Sequence, residues 1–230
     1  MKEVLCNSLY FGVMISILGY ALGVSIKRKF KWGLLNPLLI SIVFVITILL
    51  VFHIDYKSYN EGAKYISYLL TPATVCLAIP LYQQLELLQN NLKAVLIGIF
   101  TGVMSSLGSI LGFSYLFHLT HEQYVTLLPK SITTAIGIGV SEELGGITTI
   151  TIAVIIVTGI LGYIFGEGIC KLFKIKEPIA VGLAIGTASH ALGTSRALAI
   201  GEVEGAMSSL SVAVSGLLTV ICALLFANFF

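Results

Sequence analysis

The residues of this sequence that could do chemistry lie in two short stretches inside apolar regions. The first runs from Pro129 to Gly137 and carries four polar side chains, namely Lys130, Ser131, Thr133 and Thr134. A proline followed by hydroxyl residues is typical of a helix start, where free backbone amides and the helix dipole attract an anion. Lys130 would add a full positive charge to such an anion site. The alternative is a loop at the membrane surface, in which Lys130 meets lipid headgroups.

The second stretch runs from Gly186 to Ala197 and repeats a Gly-Thr pair after seven residues. Its polar candidates for substrate binding are Thr187, Ser189, His190, Thr194 and Arg196. An arginine within a membrane segment costs at least about 2.5 kcal/mol to insert, so it faces water or has a partner. A guanidinium among hydroxyls suits a carboxylate, which it binds through two parallel hydrogen bonds. The alternative is that Arg196 marks a helix end and reaches the interface, paired with Glu202 or Glu204.

Three ionisable residues are candidates for proton coupling, namely His190, Glu142 and Glu143. An unperturbed histidine titrates within the physiological pH range, which suits a proton carrier. His190 could equally be a neutral imidazole that is hydrogen-bonded inside a polar helix bundle. The two glutamates could also pair with Lys130 or Arg196, or lie in a loop.

Membrane-spanning elements must position these residues, because the composition excludes a soluble protein. Of the 230 residues, 13 are Lys or Arg and 11 are Asp or Glu, so only 10% are charged. Soluble domains average about 25%. The apolar share is 57% and the mean hydropathy is +1.00, and a net charge of +2 is too small for nucleic-acid binding. We therefore expect an integral membrane protein in contact with the lipid bilayer, with no nucleic-acid partner.

The predicted fold class is an all-α polytopic membrane protein with about five full transmembrane helices and three interrupted or re-entrant segments. A helix needs about 20 apolar residues to cross the hydrocarbon. Five uncharged runs meet this length: 4–26, 32–52, 94–117, 144–166 and 205–230. Three stretches contain prolines, glycines or charges that interrupt a helix: 65–85, 123–141 and 178–201. The 55–64 stretch, with alternating charges, is predicted to be a solvated connector.

An internal repeat with an offset of 57 residues is predicted from nine identities. The matching residues of the first copy are Leu70, Pro72, Ala78, Ile79, Glu86, Leu87, Ile99, Thr101 and Gly102. In both copies a proline-broken segment precedes a full span, a pattern that indicates the binding site of a transporter. We therefore divide the single membrane domain, 1–230, into a two-helix N-terminal scaffold (1–64), repeat 1 (65–121), repeat 2 (122–178) and the second motif with the final helix (179–230).

No cofactor, metal or catalytic site is predicted. The four cysteines are far apart and form no CxxC pair and no cluster with histidines: Cys6, Cys76, Cys170 and Cys222. The sequence has no HExxH motif and no convincing nucleophile–base arrangement. We therefore expect that the protein is not an enzyme.

Both polar stretches resemble the hallmark motifs of the LrgB/CidB family of antiholin-like membrane proteins. The motif residues are Pro129-Lys130-Ser131-Ile132-Thr133-Thr134 and Gly186-Thr187-Ala188-Ser189-His190-Ala191-Leu192-Gly193-Thr194-Ser195-Arg196-Ala197, and the resemblance in length and span order covers essentially the whole chain. It implies a multi-pass protein of the bacterial cytoplasmic membrane that tunes murein hydrolase activity and autolysis with a small holin-like membrane protein, LrgA or CidA. It also implies transport, because the plant relative is the plastid glycolate/glycerate translocator and bacterial members have been tied to pyruvate movement.

Two hypotheses of function result. In the first, the protein is a secondary transporter of small monocarboxylates (pyruvate, glycolate, glycerate or lactate), which bind at the broken helices. Arg196 and Lys130 would bind the charge of this small organic anion, and threonines would contact its hydroxyl or keto group, namely Thr133, Thr134, Thr187 and Thr194. An elevator-like movement in a homodimer is inferred by analogy with other repeat transporters. In the alternative, the protein is an antiholin-like regulator of murein hydrolase activity and autolysis that works with the small holin-like protein.

Overall fold

The computed structural model describes residues 9–30 and 36–230. These residues form helices joined by short connections, with no β-strand among them, so the predicted all-α class is confirmed. The chain divides into two compact units, the first ending at Cys76 and the second running from Leu77 to Phe230.

The helices of the first unit are α1 (Leu9–Phe30), α2 (Pro37–Val51), α3 (Tyr56–Ser67) and α4 (Leu70–Cys76). Those of the second unit are α5 (Ala78–Gln83), α6 (Leu85–Asn90), α7 (Leu92–Phe117), α8 (His121–Leu127), α9 (Thr134–Glu143), α10 (Thr148–Leu172), α11 (Pro178–Ile200) and α12 (Glu202–Phe226), followed by a 3-10 turn (Ala227–Phe229).

Four helices are long and apolar enough to cross a membrane: Tyr10–Phe30, Leu92–Phe117, Thr148–Leu172 and Glu202–Phe229. They correspond to four of the five predicted full spans. The remaining run, 32–52, contains α2, whose 15 residues extend over about 22 Å. That is shorter than the roughly 30 Å of hydrocarbon, although the first residues of the predicted run, up to residue 35, lie outside the described residues.

In the first unit, α1 packs against both α2 and α3 through glycines. A β-carbon built on Gly19 would lie 2.9 Å from the Ser41 hydroxyl, and one built on Gly23 would lie 2.8 Å from the Cα atom of Pro37. Because later residues of α1 meet earlier residues of α2, the two helices are antiparallel. We expected a solvated connector at 55–64, and this prediction is wrong, because the stretch forms most of α3. Asp55 caps this helix by accepting a hydrogen bond from the Lys57 amide at 3.3 Å.

The stretch 65–85 was predicted to be interrupted, and in the structure it contains the end of α3, all of α4 and all of α5. Pro72 and Pro80 are each the third residue of their helix, α4 and α5 respectively. A proline is tolerated in the first turn, because the amide groups there have no partner within the helix.

Helix α11 folds back on itself at His190. This residue has φ 43° and ψ −142°, which is outside the helical region, and it separates α11 into halves. A β-carbon built on Gly193 would lie 2.9 Å from the carbonyl oxygen of Ile185, whereas eight residues of straight helix would separate the two by about 12 Å. Gly193 therefore lets the halves lie side by side. We call residues 178–200 hairpin 2.

Helices α8 and α9 form a second hairpin, residues 121–143, which we call hairpin 1. Each of its two helices contacts Thr151 of α10, whose hydroxyl lies 2.9 Å from the Thr126 carbonyl oxygen and 2.7 Å from the Ser141 hydroxyl. The Thr126 hydroxyl in turn accepts a hydrogen bond from the Ile147 amide at 2.8 Å. This buried network holds both helices of hairpin 1 against the start of α10.

The two hairpins approach from opposite ends of α12, a helix about 38 Å long. Near the base of hairpin 1, the Tyr124 hydroxyl donates to the Phe226 carbonyl oxygen at 2.8 Å. Near the base of hairpin 2, a β-carbon on Gly182 would lie 2.5 Å from the carbonyl oxygen of Glu204. Their tips therefore converge near the middle of the long helices.

Helix α7 has two faces of different kinds beside the hairpin tips. One face, with helical spacing, is buried in the core: Val95, Ile99, Val103, Leu107 and Ile110. The neighbouring face carries only small residues over the same length: Gly98, Gly102, Ser105, Ser106 and Ser109. Small side chains leave space beside the helix, and the candidate site occupies this space.

Candidate functional site

A cleft of about 1040 Å³ lies between α7, α10, the tip of hairpin 1 and the first half of hairpin 2. Its polar side chains near the hairpin tips are Ser105, Ser106, Ser109, Lys130, Ser131, Thr158, Thr187 and Ser189. Along α7 the cleft continues past Gly98 to Asn91, at the end of the helix near Glu177. It is therefore a long groove with most of its hydroxyls, and its lysine, near the hairpin tips.

Lys130 is the cation of the cleft. Its ammonium group lies 3.2 Å from the Ser106 hydroxyl and 3.0 Å from the Ser131 hydroxyl, and these two hydroxyls are 3.0 Å apart. Within residues 9–30 and 36–230, no carboxylate forms an ion pair with Lys130. A partly buried ammonium group that contacts only hydroxyls favours the binding of an anion from outside the protein.

Two glycines let hairpin 2 come close to the long helices at this cleft. A β-carbon built on Gly102 of α7 would lie 2.6 Å from the methyl group of Thr187. One built on Gly162 of α10 would overlap the side chain of Ser189. Both hydroxyl residues are buried, at 7% exposure for Thr187 and 2% for Ser189. Thus four of the predicted binding residues, Lys130, Ser131, Thr187 and Ser189, line one cleft.

Arg196 does not line this cleft. In the second half of hairpin 2, its guanidinium forms a short ion pair with the Glu167 carboxylate of α10. The other carboxylate oxygen of Glu167 accepts from Lys171 at 2.6 Å. The partner of Arg196 is thus neither Glu202 nor Glu204, because the hairpin places Arg196 beside the end of α10 instead.

His190 and Thr194 are buried in the bundle and use their polar atoms internally. The Nε2 atom of His190 lies 3.0 Å from the carbonyl oxygen of Ile155. The Thr194 hydroxyl lies 3.0 Å from the His190 carbonyl oxygen and 2.8 Å from the Ser208 hydroxyl. These contacts tie the tip of hairpin 2 to α10 and α12, and neither residue lines the cleft.

The other four predicted residues belong to hairpin 1. Thr133 precedes α9 and its carbonyl oxygen accepts from the Gly137 amide at 2.8 Å, while Thr134 is the first residue of α9. Glu142 and Glu143 are exposed at the opposite end of α9. None of the four lines the cleft, and the glutamates lie at the base of the hairpin rather than at its tip.

Sequence reasoning missed the serines of α7 and Thr158 of α10. The predicted runs 94–117 and 144–166, which cover most of these two helices, contain no charge and no proline, so the sequence indicates ordinary spans there. The grouping of Ser105, Ser106 and Ser109 in an apolar run was the available signal, since such hydroxyls are common where helices pack closely or line a polar path.

As for metals, residues 9–30 and 36–230 contain no group of three His, Cys, Asp or Glu side chains that could hold one.

Comparison with known proteins identifies the family. Residues 16–229 match the model of the LrgB-like family. The chain belongs to this family. It is 37% identical over 221 residues to antiholin-like protein LrgB of Bacillus mycoides and of Bacillus cereus, with 96% of each chain covered. The same values hold for antiholin-like protein LrgB of Bacillus anthracis.

The predicted family relationship is therefore confirmed, and the four long apolar helices agree with a membrane protein. The names of the relatives agree with the antiholin-like alternative, and they do not mention a transported solute. No solved structure matches the chain.

Proposed function

We propose that this protein is an antiholin-like regulator that acts in the bacterial cytoplasmic membrane. The observation that carries the proposal is its 37% identity to antiholin-like protein LrgB over 96% of both chains. In this role it lowers murein hydrolase activity and autolysis through a small holin-like membrane protein of the LrgA or CidA kind. It needs a lateral contact with that partner, for which the exposed apolar side chains of the long helices are available.

The test is complementation in a bacterium whose own family member has been deleted. Autolysis is measured after detergent treatment, and murein hydrolase activity is measured by zymography, with and without the small holin-like protein. Restored resistance to lysis that depends on the partner supports the regulatory role. Resistance that is restored equally without the partner contradicts it.

A second candidate function is carried by the cleft. Lys130 supplies one positive charge that no carboxylate of the described residues neutralises, beside several hydroxyls and close to the middle of two candidate spanning helices. This combination suits the carboxylate of a small monocarboxylate such as pyruvate, glycolate, glycerate or lactate. Glu177 is the acidic residue of the cleft lining, and it lies at the base of hairpin 2, about 20 Å along the helix from the tip.

In this second role the protein is a secondary transporter. The groove along α7 gives the anion a path from the Asn91 end to Lys130, and the body of hairpin 1 lies beyond this point. A movement of the hairpins relative to the long helices would open the other side, in the elevator manner predicted from the sequence. The elevator movement and the homodimer stay predictions.

The carrier proposal is tested by uptake of labelled pyruvate and glycolate into proteoliposomes, with the purified protein alone and with the small holin-like protein added. Saturable uptake that is lost in Lys130→Gln supports a carrier with its site in the cleft. Lys93→Gln is the matched control, because Lys93 is an exposed lysine on α7 that does not line the cleft.

Three outcomes separate the two functions. If the wild-type protein takes up the acids and the Lys130→Gln variant still complements the deletion, regulation does not depend on anion binding. If the wild-type protein takes up the acids and Lys130→Gln fails to complement, lysis control follows from transport. No uptake by folded protein, with or without the partner, contradicts the carrier and leaves regulation as the function.

A further inference from the structure

We propose that the cleft opens to the cytoplasm, so that its anion enters from that side of the membrane. The inference rests on the membrane location and the anion site proposed above, and it adds the side from which the site is reached. All the residues involved belong to the second unit, Leu77–Phe230.

Helix α7 and the first half of hairpin 2 begin at the same end of this unit. A β-carbon built on Gly98 would lie 3.4 Å from a methyl group of Leu183, and one built on Gly102 would lie 2.6 Å from the methyl group of Thr187. Later residues of one helix thus meet later residues of the other, so the two run parallel. The end of α10 lies at this end of the unit as well, because only the short connection 173–177 joins it to hairpin 2.

The basic residues that flank helix ends are concentrated there, and we call it the basic end. Lys93 lies in the first turn of α7, and the other three lie at or just after the end of α10: Lys171, Lys174 and Lys176. The remaining Lys and Arg residues of the unit are Lys130, at the tip of hairpin 1, and Arg196, in the second half of hairpin 2.

The opposite end of the unit is formed by the end of α7 and the base of hairpin 1. Within residues 77–230, this end has acidic residues but neither Lys nor Arg: Glu122, Glu142 and Glu143. Lys and Arg in short loops and near the ends of spanning helices stay in the cytoplasm, whereas Asp and Glu have little effect on orientation. The basic end therefore faces the cytoplasm and the base of hairpin 1 faces the outside.

The cleft reaches the basic end but is closed towards the other. At the basic end its lining includes Asn91 and the exposed Glu177. On α10 the lining begins only at Thr158, and the preceding turn is covered by hairpin 1: Ile155 is fully buried, and a β-carbon built on Gly137 would lie 2.4 Å from its methyl group. An anion therefore reaches Lys130 from the cytoplasmic end.

The test uses single cysteines in a protein whose native cysteines are replaced by alanine. Phe173→Cys reports on the basic end and Glu142→Cys on the opposite end, both at exposed positions. Ser105→Cys reports on the cleft, and Thr101→Cys is its matched control, because Thr101 is exposed on α7 without lining the cleft. A membrane-impermeant thiol reagent with a sulfonate group is applied to spheroplasts and to inside-out vesicles, and its trimethylammonium counterpart is applied in parallel.

We expect Phe173→Cys to react in inside-out vesicles and Glu142→Cys to react in spheroplasts. Ser105→Cys should react only in inside-out vesicles. Its reaction should be about tenfold faster with the sulfonate reagent, because Lys130 attracts anions into the cleft. Adding Lys130→Gln should remove this difference, and Thr101→Cys should show no preference for the sulfonate.

Two kinds of failure are distinguishable. Reaction of Phe173→Cys in spheroplasts, or of Ser105→Cys in spheroplasts as fast as in vesicles, overturns the cytoplasmic opening and leaves the anion site standing. Reaction of Ser105→Cys in vesicles alone, without preference for the sulfonate, supports the opening and contradicts the anion site of the proposed carrier. If Ser105→Cys does not fold, Ser109→Cys replaces it, because Ser109 is also exposed and lines the cleft.

Discussion

The two hairpins of the second unit reverse the direction of the chain in different ways. Hairpin 1 turns through a non-helical segment, 128–133, which contains Lys130. Hairpin 2 turns at the single residue His190 with a positive φ, and its nearest cation, Arg196, lies six residues beyond the tip. Only the lysine therefore reaches the cleft, whereas the arginine lies beside the carboxylate of Glu167.

The contacts that fasten each hairpin to α10 differ as well. Hairpin 1 is fastened to α10 by the neutral network of Thr126, Ser141 and Thr151. Hairpin 2 is fastened to the other end of α10 by the charged pair of Arg196 and Glu167. In this fold the cation at a hairpin tip, Lys130, lies away from carboxylates and stays available to a ligand, whereas Arg196 is paired with Glu167.

The largest effect is expected when the uncharged hydrogen bonds between hairpin 1 and α10 are removed. Thr151→Val keeps the shape of the side chain but leaves the Thr126 carbonyl and the Ser141 hydroxyl without this partner in a site of zero exposure. We expect a loss of about 3 kcal/mol in the free energy of unfolding, since buried polar groups without partners are costly. Unfolding titration in mixed micelles measures it, and an unchanged midpoint would show that the network is not what holds hairpin 1.

The corresponding change at hairpin 2 is Glu167→Gln, which leaves Arg196 and Lys171 without their carboxylate. The side chains of the Arg196–Glu167 pair are 35% and 25% exposed. We therefore expect a loss of about 2 kcal/mol, between the values for surface and buried pairs. The same titration measures this change. The double variant Glu167→Arg with Arg196→Glu is the control, and it should recover part of the loss if the pair itself is the cause.

The two cations themselves provide a sharper comparison. Lys130→Gln should weaken binding of labelled glycolate at least tenfold, because it removes the charge from the cleft. Arg196→Gln should change the affinity less than about threefold while lowering the unfolding midpoint, because Arg196 acts on stability. Equal losses of affinity in the two variants, both folded, would contradict the assignment of different roles.

The smallest expected effect is at the tip of hairpin 2. Thr194→Val removes one hydroxyl that bridges the His190 carbonyl and Ser208. We expect a loss of about 1 kcal/mol in the free energy of unfolding, typical of one buried hydrogen bond. Thr194→Ser keeps the hydroxyl and serves as the control. A loss of unfolding free energy as large as that of Thr151→Val would mean that the Thr194 hydrogen bonds hold hairpin 2 as strongly as the Thr151 network holds hairpin 1.

The sequence alone determined the class of the protein and the location of its irregular segments. Long apolar runs with few charges require a bilayer, because water would have to solvate their apolar side chains. In the bilayer such a run forms a helix, since a helix satisfies its own backbone polar groups. Prolines and glycines marked the stretches 65–85, 123–141 and 178–201 as interrupted, and the polar residues inside the last two identified the family that the comparisons confirmed.

Only the tertiary structure decided which of these polar residues meet. The fold at His190 reverses the chain within one residue, and this reversal brings Gly193 against Ile185 and Arg196 against Glu167. The position of Lys130 beside Ser106 likewise depends on how hairpin 1 packs on α7. Sequence patterns report spacing along one chain segment, whereas such contacts join segments that are far apart in sequence. Their pairing is set by packing between helices, and for that reason a lysine and an arginine with similar surroundings in the sequence have different partners in the structure.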